Sequence, residues 1–273
     1  MNGGTQSQLM RCSDKQYYVV KFQNNPQGTR ILANELLASI LGRRLGLPLP
    51  ETAIVDVDAD LICHTDDLVI QLESGRVPCQ GGLCFGSRYP RDTVSEPRSL
   101  RPAIDFLPVD LLCGVSNISD FLGMLVFDKW IGNTDDRQSV FFRESGQSLY
   151  RALMVDHGFC FNGQEWDFPD RPAKGIYFRG IVYDEVRDLR AFDRWISRIE
   201  EEMTETVLIS AFETVPREWY DNDERSIIQL LHVLDSRRTK IRALLWATAI
   251  RLPKLFRNWN LEGDRPLTRT VRA

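Results

Sequence analysis

Residues 132–137 read Gly-Asn-Thr-Asp-Asp-Arg, and residues 154–158 read Met-Val-Asp-His-Gly. Two short apolar runs lie between these stretches and flank a turn near Gly146, a pattern that predicts a β-hairpin. The hairpin would place acidic side chains at neighbouring strand ends. Such a pair of carboxylates suits phosphoryl transfer, in which one carboxylate holds a metal ion on the phosphates and another orients the attacking hydroxyl. Asp and Asn are also common in turns that have no catalytic role.

The first ninety residues are predicted to contain strands and one long helix. Strands are indicated at 16–22, 52–57 and 67–72, where β-branched and aromatic residues cluster. Apolar residues recur every three or four positions over 31–45, which predicts an amphipathic helix that ends before Gly46.

Lys21 lies in the first of these strands, Glu35 lies on the helix, and a glycine turn at Gly3, Gly4 and Thr5 precedes both. The N-terminal lobe of a kinase combines a loop over the phosphates, a strand lysine on them and a helical glutamate paired with that lysine. Each residue alone is compatible with an ordinary surface or turn position. Their order along the chain, followed by the acidic hairpin, favours a nucleotide site.

The rest of the chain is predicted to be mainly helical. A glycine-rich segment at 81–89 and a polar, proline-containing segment at 91–102 mark the boundary between the two parts. An apolar helix is indicated at 118–131, and long amphipathic helices are indicated at 184–203 and 225–249.

These elements predict an α+β fold of two lobes, with a strand-rich N-lobe at 1–90 and a larger helical C-lobe at 91–273. The C-lobe would contain the catalytic hairpin at 132–160 and a basic, solvated tail from about residue 251.

The composition is that of an ordinary globular protein, with 43% hydrophobic residues and a formal net charge of −4. This charge gives no indication of nucleic-acid binding, which usually involves a basic surface. No apolar run approaches the roughly 18 residues of a membrane span, and the polar start lacks a signal-peptide core. The six cysteines form no Cys-x-x-Cys pair, so we expect buried, reduced thiols in a cytoplasmic protein.

The chain resembles the HipA-like Ser/Thr kinases, in particular the compact bacterial members of that family. The resemblance extends from Gly3 to about Phe161. The stretches that carry it are GGTQSQL from Gly3, YYVVKF with Lys21, NNPQGTR ending at Arg30, NELLASILGRRLGLPLPE from Asn34, CFGSRYP from Cys84, FDKWIGNTDDR from Phe127 and MVDHGFCF from Met154.

The resemblance implies a bilobal protein-kinase-like fold, ATP and Mg²⁺ as cofactors, and a role for each matched residue. The implied roles are a phosphate loop at Gly3, Gly4 and Thr5, a phosphate-binding lysine at Lys21 with Glu35 as its ion-pair partner, a hinge near Phe85, Gly86 and Ser87, a catalytic aspartate at Asp135 and a metal-binding aspartate at Asp156. His157 takes the place of the phenylalanine in the Asp-Phe-Gly of ordinary kinases.

The catalytic loop departs from the family pattern Asn-x-Asp-Arg-His-x-x-Asn. An ungapped alignment on Asp135 places Val140 at the final Asn, which normally helps to hold Mg²⁺. A shift by one residue makes Asp136 and Arg137 match the Asp-Arg pair, and Phe141 then faces the Asn position. The register of the catalytic aspartate therefore stays open, and in both registers an apolar residue replaces a metal ligand.

Gln138 or Asn133 could substitute for the missing ligand.

The chain also starts almost at the glycine turn. The strand that precedes this loop in kinases is therefore expected to be truncated, or the adenine site to be built differently. The segment 166–180, equivalent to the activation segment, has no clear phosphorylation motif.

The leading interpretation is an ATP- and Mg²⁺-dependent kinase that phosphorylates Ser or Thr of a protein substrate. The main alternative is a pseudokinase, a nucleotide-binding regulatory or scaffold module without turnover. A kinase for a lipid or a small molecule is a weaker alternative. An antitoxin-like or other regulatory protein is a further possible partner, and no nucleic-acid or membrane signal is present.

Overall fold

A computed structural model gives the structure of the protein and describes residues 4–90, 103–143 and 146–261. Up to residue 90 the chain is rich in strands. The elements of this part are, in chain order, β1 (Gln8–Arg11), β2 (Tyr17–Lys21), α1 (Arg30–Arg44), β3 (Thr52–Val57), α2 (Ala59–Cys63), β4 (Val69–Leu72), β5 (Gly75–Pro78) and β6 (Gly82–Arg88). Four of the strands form one antiparallel sheet in the order β1-β2-β6-β3, and β4 and β5 form a separate hairpin.

The central strand β6 lies in the segment 81–89, where the sequence predicted a glycine-rich boundary and the family resemblance implied a hinge. The glycines do not prevent strand formation here, because they allow close packing within the sheet. A Cβ atom on Gly86 would lie 2.6 Å from Cγ2 of Val55 on the neighbouring strand β3. On one face of the sheet, Val20, Phe22 and Cys84 are completely buried in a small core of the N-lobe.

Helix α1 is enclosed on nearly all sides. Eleven of its fifteen residues are buried, among them the polar residues Asn34, Glu35 and Ser39. A helix without a solvent face is a core element, and α1 packs against β3 and β6 as well as against helices of the C-terminal part. It ends before Gly46, whose φ of 72° is the left-handed conformation that commonly stops a helix.

From residue 103 onward helices dominate. The elements of this part are α3 (Val109–Cys113), α4 (Asp120–Ile131), β7 (Gln138–Phe142), β8 (Arg151–Val155), α5 (Asp193–Glu202), α6 (Glu205–Phe212), α7 (Glu224–Arg237) and α8 (Ile241–Arg251). The apolar helix α4 lies at the centre and packs against α5, α7 and α8. The strands β7 and β8 form the hairpin that the sequence predicted within residues 132–160.

Two of the long predicted helices are interrupted. Within 184–203, the α-helix begins only at Asp193, because Asp188 is extended and its carboxylate caps a short 3₁₀ turn at Leu189–Phe192. Within 225–249, a 3₁₀ turn at Arg238–Lys240 separates α7 from α8. Helical periodicity continues across such turns, so the sequence pattern does not reveal them.

The C-lobe reaches back to the N-lobe through a 3₁₀ turn at Arg217–Tyr220. The buried indole of Trp219 donates a hydrogen bond of 2.9 Å to the carbonyl oxygen of Leu83 in β6. The side chain of Gln23 donates to the same oxygen at 3.0 Å. The central strand of the sheet is therefore bonded directly to the helical lobe.

All six cysteines are free thiols. Cys63 and Cys113 are exposed, which differs from the expected burial. Helices in the described ranges are all too short or too polar to cross a membrane. The predicted glycine Gly3, the polar segment at 91–102 and the basic tail beyond residue 261 lie outside the described residues.

Replacing Trp219 by Phe should lower the free energy of unfolding by about 1 kcal/mol more than the ring truncation alone, because the hydrogen bond to Leu83 is lost. Trp246→Phe provides the comparison, since Nε1 of the half-buried Trp246 has no partner among the described residues and its removal breaks no hydrogen bond. Urea denaturation of both variants measures the difference. Equal losses in the two variants would show that the bond to β6 contributes nothing.

Candidate active site

Lys21 is the meeting point of three elements. It is the last residue of β2, and its Nζ donates a hydrogen bond to Oε1 of Glu35 on α1. The same ammonium lies 3.0 Å from Oδ1 of Asp156, which directly follows β8. Lys21 and Glu35 are buried, whereas the side chain of Asp156 is 34% exposed. The structure thus brings together a predicted lysine, its predicted partner and the predicted metal-binding aspartate.

The charges of this cluster stabilise one another. Burial alone would lower the pKa of Lys21, but the carboxylates of Glu35 and Asp156 outweigh it and hold the pKa above the usual value of lysine. Burial opposes ionisation of Asp156 as well, yet Lys21 lowers the pKa of this carboxyl to about 2. Burial raises the pKa of Glu35, against the effect of Lys21. At neutral pH the site therefore contains a lysine cation and an ionised aspartate.

Asp156 has an unusual backbone conformation, with a φ of 63°. Left-handed backbone is uncommon for residues other than glycine and marks functional sites when the surroundings enforce it. Here the side chain is held at both oxygens, since Lys21 contacts Oδ1 and Gln138 Nε2 donates to Oδ2 at 2.9 Å. Gln138 is the first residue of β7, so the hairpin brings it beside Asp156.

The Asp-His-Gly segment is fixed to α1 by Asn34, a residue that the sequence reasoning did not single out. Asn34 is completely buried, and both of its N–H donors and its carbonyl oxygen are hydrogen-bonded. Its Nδ2 donates to the carbonyl oxygens of Gly158 and Gly163, both at 2.7 Å, and its Oδ1 accepts from the indole of Trp166 at 2.7 Å. The only available signal was a polar residue on an otherwise apolar helix face.

Gly158 allows the close approach of α1 to this segment. A Cβ atom at this position would lie 2.7 Å from Cγ2 of Ile31, within the hard-contact distance of two carbon atoms. The glycine of the Asp-His-Gly motif is thus required by packing and not by a positive φ.

Arg137, predicted as a catalytic-loop residue, is buried and faces away from solvent. Its guanidinium forms a bidentate ion pair with Asp128 of α4, with N–O distances of 2.9 and 2.6 Å. It also donates to the carbonyl oxygens of Val155 and Asp156 at 2.6 and 3.0 Å. Its geometry is that of a positioning residue, because it joins α4 to the end of β8 and touches no open surface of the cleft.

Asp135 and Asp136 lie on the loop after α4 and differ in their surroundings. Oδ1 of Asp135 accepts the backbone N–H of Asp136, and its carbonyl oxygen accepts the N–H of Gly175. Asp136 is exposed and pairs with Lys174 at 2.9 Å. Both acids are therefore tied to the segment 174–176, and the geometry leaves their register open.

A cleft of about 180 Å³ lies between the lobes at this cluster. Of the residues predicted for nucleotide binding, Thr5, Lys21, Glu35, Phe85 and Ser87 line it. The lining residues that the sequence reasoning did not assign are Ser7, Val19, Ser39, Pro50, Arg88, Tyr89, Pro90, Ala103, Met154 and Val155. The predicted Gly4 is exposed beside it.

Two of the catalytic-loop candidates also reach this cleft. Gln138 and Val140 lie two residues apart on β7, on the same face of the strand, and both line the cleft. Phe141 is completely buried and does not reach it.

This combination defines a class of protein. A strand lysine paired with a helical glutamate, above an aspartate that follows a hairpin, is the arrangement of protein-kinase-like phosphotransferases. The sequence model of the HipA-like kinase family matches residues 1–245. The chain therefore belongs to the HipA-like kinase family, which confirms the resemblance seen in the sequence.

A solved structure supports the fold. The chain is similar to the crystal structure of a Helicobacter pylori proinflammatory kinase, CtkA, with a TM-score of 0.54 and 15% sequence identity. The similarity covers 91% of this chain and 93% of that one. The predicted α+β fold, with a small strand-rich N-lobe and a larger helical C-lobe, is thereby confirmed. No curated protein matches the chain.

Replacing Asp128 by Ala should lower the free energy of unfolding by about 3–5 kcal/mol, because it leaves the buried Arg137 guanidinium without its counter-charge. Asp136→Ala is the matched control. It breaks the exposed ion pair with Lys174, and such pairs contribute at most about 1 kcal/mol. Denaturant titration of both variants tests the contrast. If Asp128→Ala lowers the free energy of unfolding as little as Asp136→Ala does, the buried ion pair does not have the predicted stabilising role.

Replacing His157 by Phe should raise the free energy of unfolding by about 1–2 kcal/mol in metal-free buffer. The imidazole is buried, and neither ring nitrogen has a hydrogen-bond partner among the described residues. Such atoms lose their hydration without compensation, whereas a phenyl ring has no polar atom to satisfy.

The pH dependence of stability provides the control for this substitution. Burial, reinforced by the charge of Arg137, holds the pKa of His157 well below its ordinary value. The unfolded chain takes up this proton near pH 6.5 and the folded chain does not, so stability falls as the pH drops below about 6.5. The Phe variant should lose stability less steeply over this range. If the free energy of unfolding falls equally steeply with pH in both proteins, His157 is not buried in its neutral form.

Proposed function

We propose that the protein is an ATP- and Mg²⁺-dependent kinase that phosphorylates Ser or Thr residues of a protein. The observation that carries the proposal is the contact of Lys21 with both Glu35 and Asp156 at the inner end of the cleft. A lysine held by a helical glutamate binds nucleotide phosphates, and an adjacent aspartate binds the metal ion that bridges them.

The cleft contains suitable groups for the phosphates and for the base of the nucleotide. The N-lobe contributes the buried hydroxyl residues Thr5 and Ser7 and the cation of Lys21 for the phosphates. Val19 and Phe85 provide apolar surface from the sheet, and Val140 provides it from β7. Apolar surfaces above and below a cleft suit a planar base such as adenine.

The donor set also fits Mg²⁺, which prefers oxygen ligands and binds through one or two carboxylates together with phosphate oxygens. Asp156 would supply an ionised carboxylate. Gln138, whose Nε2 bonds to Asp156 in this structure, would supply its amide oxygen after rotation of the amide group. When bound, the ion neutralises charge on the phosphates. Gln138 would then take the place of the family's metal-binding Asn, since the side chain of Val140 contains no oxygen.

Asp135 or Asp136 would orient the acceptor. In the transfer, the acceptor oxygen forms a bond to the γ-phosphorus, the bond between this phosphorus and the β–γ bridging oxygen breaks, and ADP leaves. The hydroxyl proton passes to the aspartate or to solvent. Ser or Thr of a protein is proposed as the acceptor because the chain resembles the HipA-like Ser/Thr kinases.

The second candidate is a pseudokinase-type regulatory module, which binds nucleotide without turnover. The observation that favours it is Val140, an apolar residue at the ungapped position of a metal ligand and in contact with the cleft. The two candidates differ in the dependence of ATP binding on Mg²⁺ and in turnover.

We expect Mg²⁺ to tighten ATP binding, and Asp156→Asn to abolish this gain, because the variant removes the ionised metal ligand. Gln138→Leu should reduce the gain by about tenfold. Isothermal titration of ATP with and without Mg²⁺ measures both effects. ATP binding that is independent of Mg²⁺ would favour the pseudokinase reading and contradict the proposed kinase, and the absence of ATP binding would contradict both.

Substitutions in the catalytic loop provide the matched control. Asp135→Asn and Asp136→Asn should both retain the Mg²⁺-dependent gain in ATP binding, because neither side chain lines the described part of the cleft. Turnover should fall by at least about 100-fold in the variant that removes the catalytic aspartate, and this result assigns the register.

A further inference from the structure

The turn that carries Thr5 and Ser7 is attached to a strand outside the main sheet. Gln6 lies between these two residues and reaches the hairpin strand β4. Its Nε2 donates to the carbonyl oxygen of Gln71 at 2.7 Å, and the backbone N–H of Gln71 donates to its Oε1 at 2.6 Å. The side-chain amide of Gln6 thus bonds both the N–H and the C=O group of Gln71.

This attachment has the chemistry of strand pairing. β4 pairs with β5 on one edge, where Gln71 lies opposite Arg76. In a strand, the N–H and the C=O of a residue point to the same edge, so Gln6 occupies the edge of β4 that faces away from β5. A primary amide has a donor and an acceptor side by side, which matches those two groups. Gln6 therefore acts as a one-residue extension of the hairpin.

The attachment holds a strained turn in place. Gln6 has a φ of 51°, a left-handed conformation that costs free energy in a residue with a side chain. The side chain of Gln6 is directed toward β4. Its two neighbours, Thr5 and Ser7, are buried and line the cleft together with Lys21. Two hydrogen bonds on Gln6 thus fix the direction in which two hydroxyl groups point.

We propose that Gln6 is a positioning residue for nucleotide binding. It holds the phosphate turn against the β4–β5 hairpin, so that Thr5 and Ser7 face the nucleotide phosphates before the ligand arrives. Binding then does not have to order this turn, which is the general benefit of preorganisation. The inference rests on the proposed function for the identity of the ligand, but the attachment itself can be tested without a ligand.

Two substitutions remove the attachment and a third preserves it. Gln6→Met keeps the length of the side chain without its polar atoms. Gln6→Glu keeps the acceptor but places a carboxylate against the carbonyl oxygen of Gln71. Gln71→Ala is the matched control, because the attachment uses only the backbone of Gln71.

The exchange rate of the backbone amide hydrogen of residue 71 is measured by NMR in the protein without ligand. It should become at least about tenfold faster in Gln6→Met and stay unchanged in Gln71→Ala. The Kd of ATP with Mg²⁺ should rise about five- to thirtyfold in both Gln6 variants, as expected for the loss of two hydrogen bonds. The kcat at saturating ATP should change less than about twofold, because Gln6 acts on binding. The midpoint of thermal unfolding should stay nearly constant, which excludes general unfolding as the cause.

The proposal is overturned if Gln71 exchange does not change in Gln6→Met, or if it changes and the ATP affinity does not. In the second case, the loss of Mg²⁺-dependent binding in Asp156→Asn would show that the proposed function still stands. If the wild-type protein binds no ATP, the proposed function fails and so does the role of Gln6 in nucleotide binding. The exchange rate of the Gln71 amide would then still show whether Gln6 attaches the turn to β4.

Discussion

The buried ammonium of Lys21 is the charge on which the site depends. Taking a lysine and a glutamate out of water costs several kcal/mol per ion, and only close, well-directed partners offset this cost. Lys21 finds such partners in Glu35 and Asp156, which come from two other elements of the fold. Strand β2, helix α1 and the end of β8 must therefore keep their relative positions, because any displacement leaves a charge buried without its partner.

Several separate contacts maintain these positions from the C-lobe side. Asn34 bonds α1 to Gly158 and Gly163, and Arg30 at the start of α1 pairs with Asp223 at 2.9 Å and stacks on Trp166 at 4.6 Å. The segment 166–180 contains no Ser or Thr. The side-chain amine of Lys129 is bonded to the carbonyl oxygens of Pro172 and Lys174 in this segment, and Arg237 is bonded to Asp170. Two buried basic side chains thus hold it in place.

The sequence predicted the parts of the site that follow from local chemistry and chain order. Lys21, Glu35 and Asp156 were singled out because their order along the chain is that of a kinase and because the stretches around them resemble the HipA-like kinases. Other features depend on partners distant in the chain, which periodicity does not reveal. The strand β6 was taken for a boundary because its glycines, which favour turns in a sequence, here permit close contact with Val55. Asn34 was overlooked because its three partners lie more than 120 positions away.

The double hydrogen bond to the Leu83 carbonyl also has a mechanical consequence. Gln23 donates one of these bonds from the N-lobe, and Trp219 donates the other from the C-lobe. Further along the same strand, Phe85 and Ser87 line the cleft. The turn that carries Trp219 is thus coupled through β6 to one wall of the cleft, so a shift of this turn would also displace that wall.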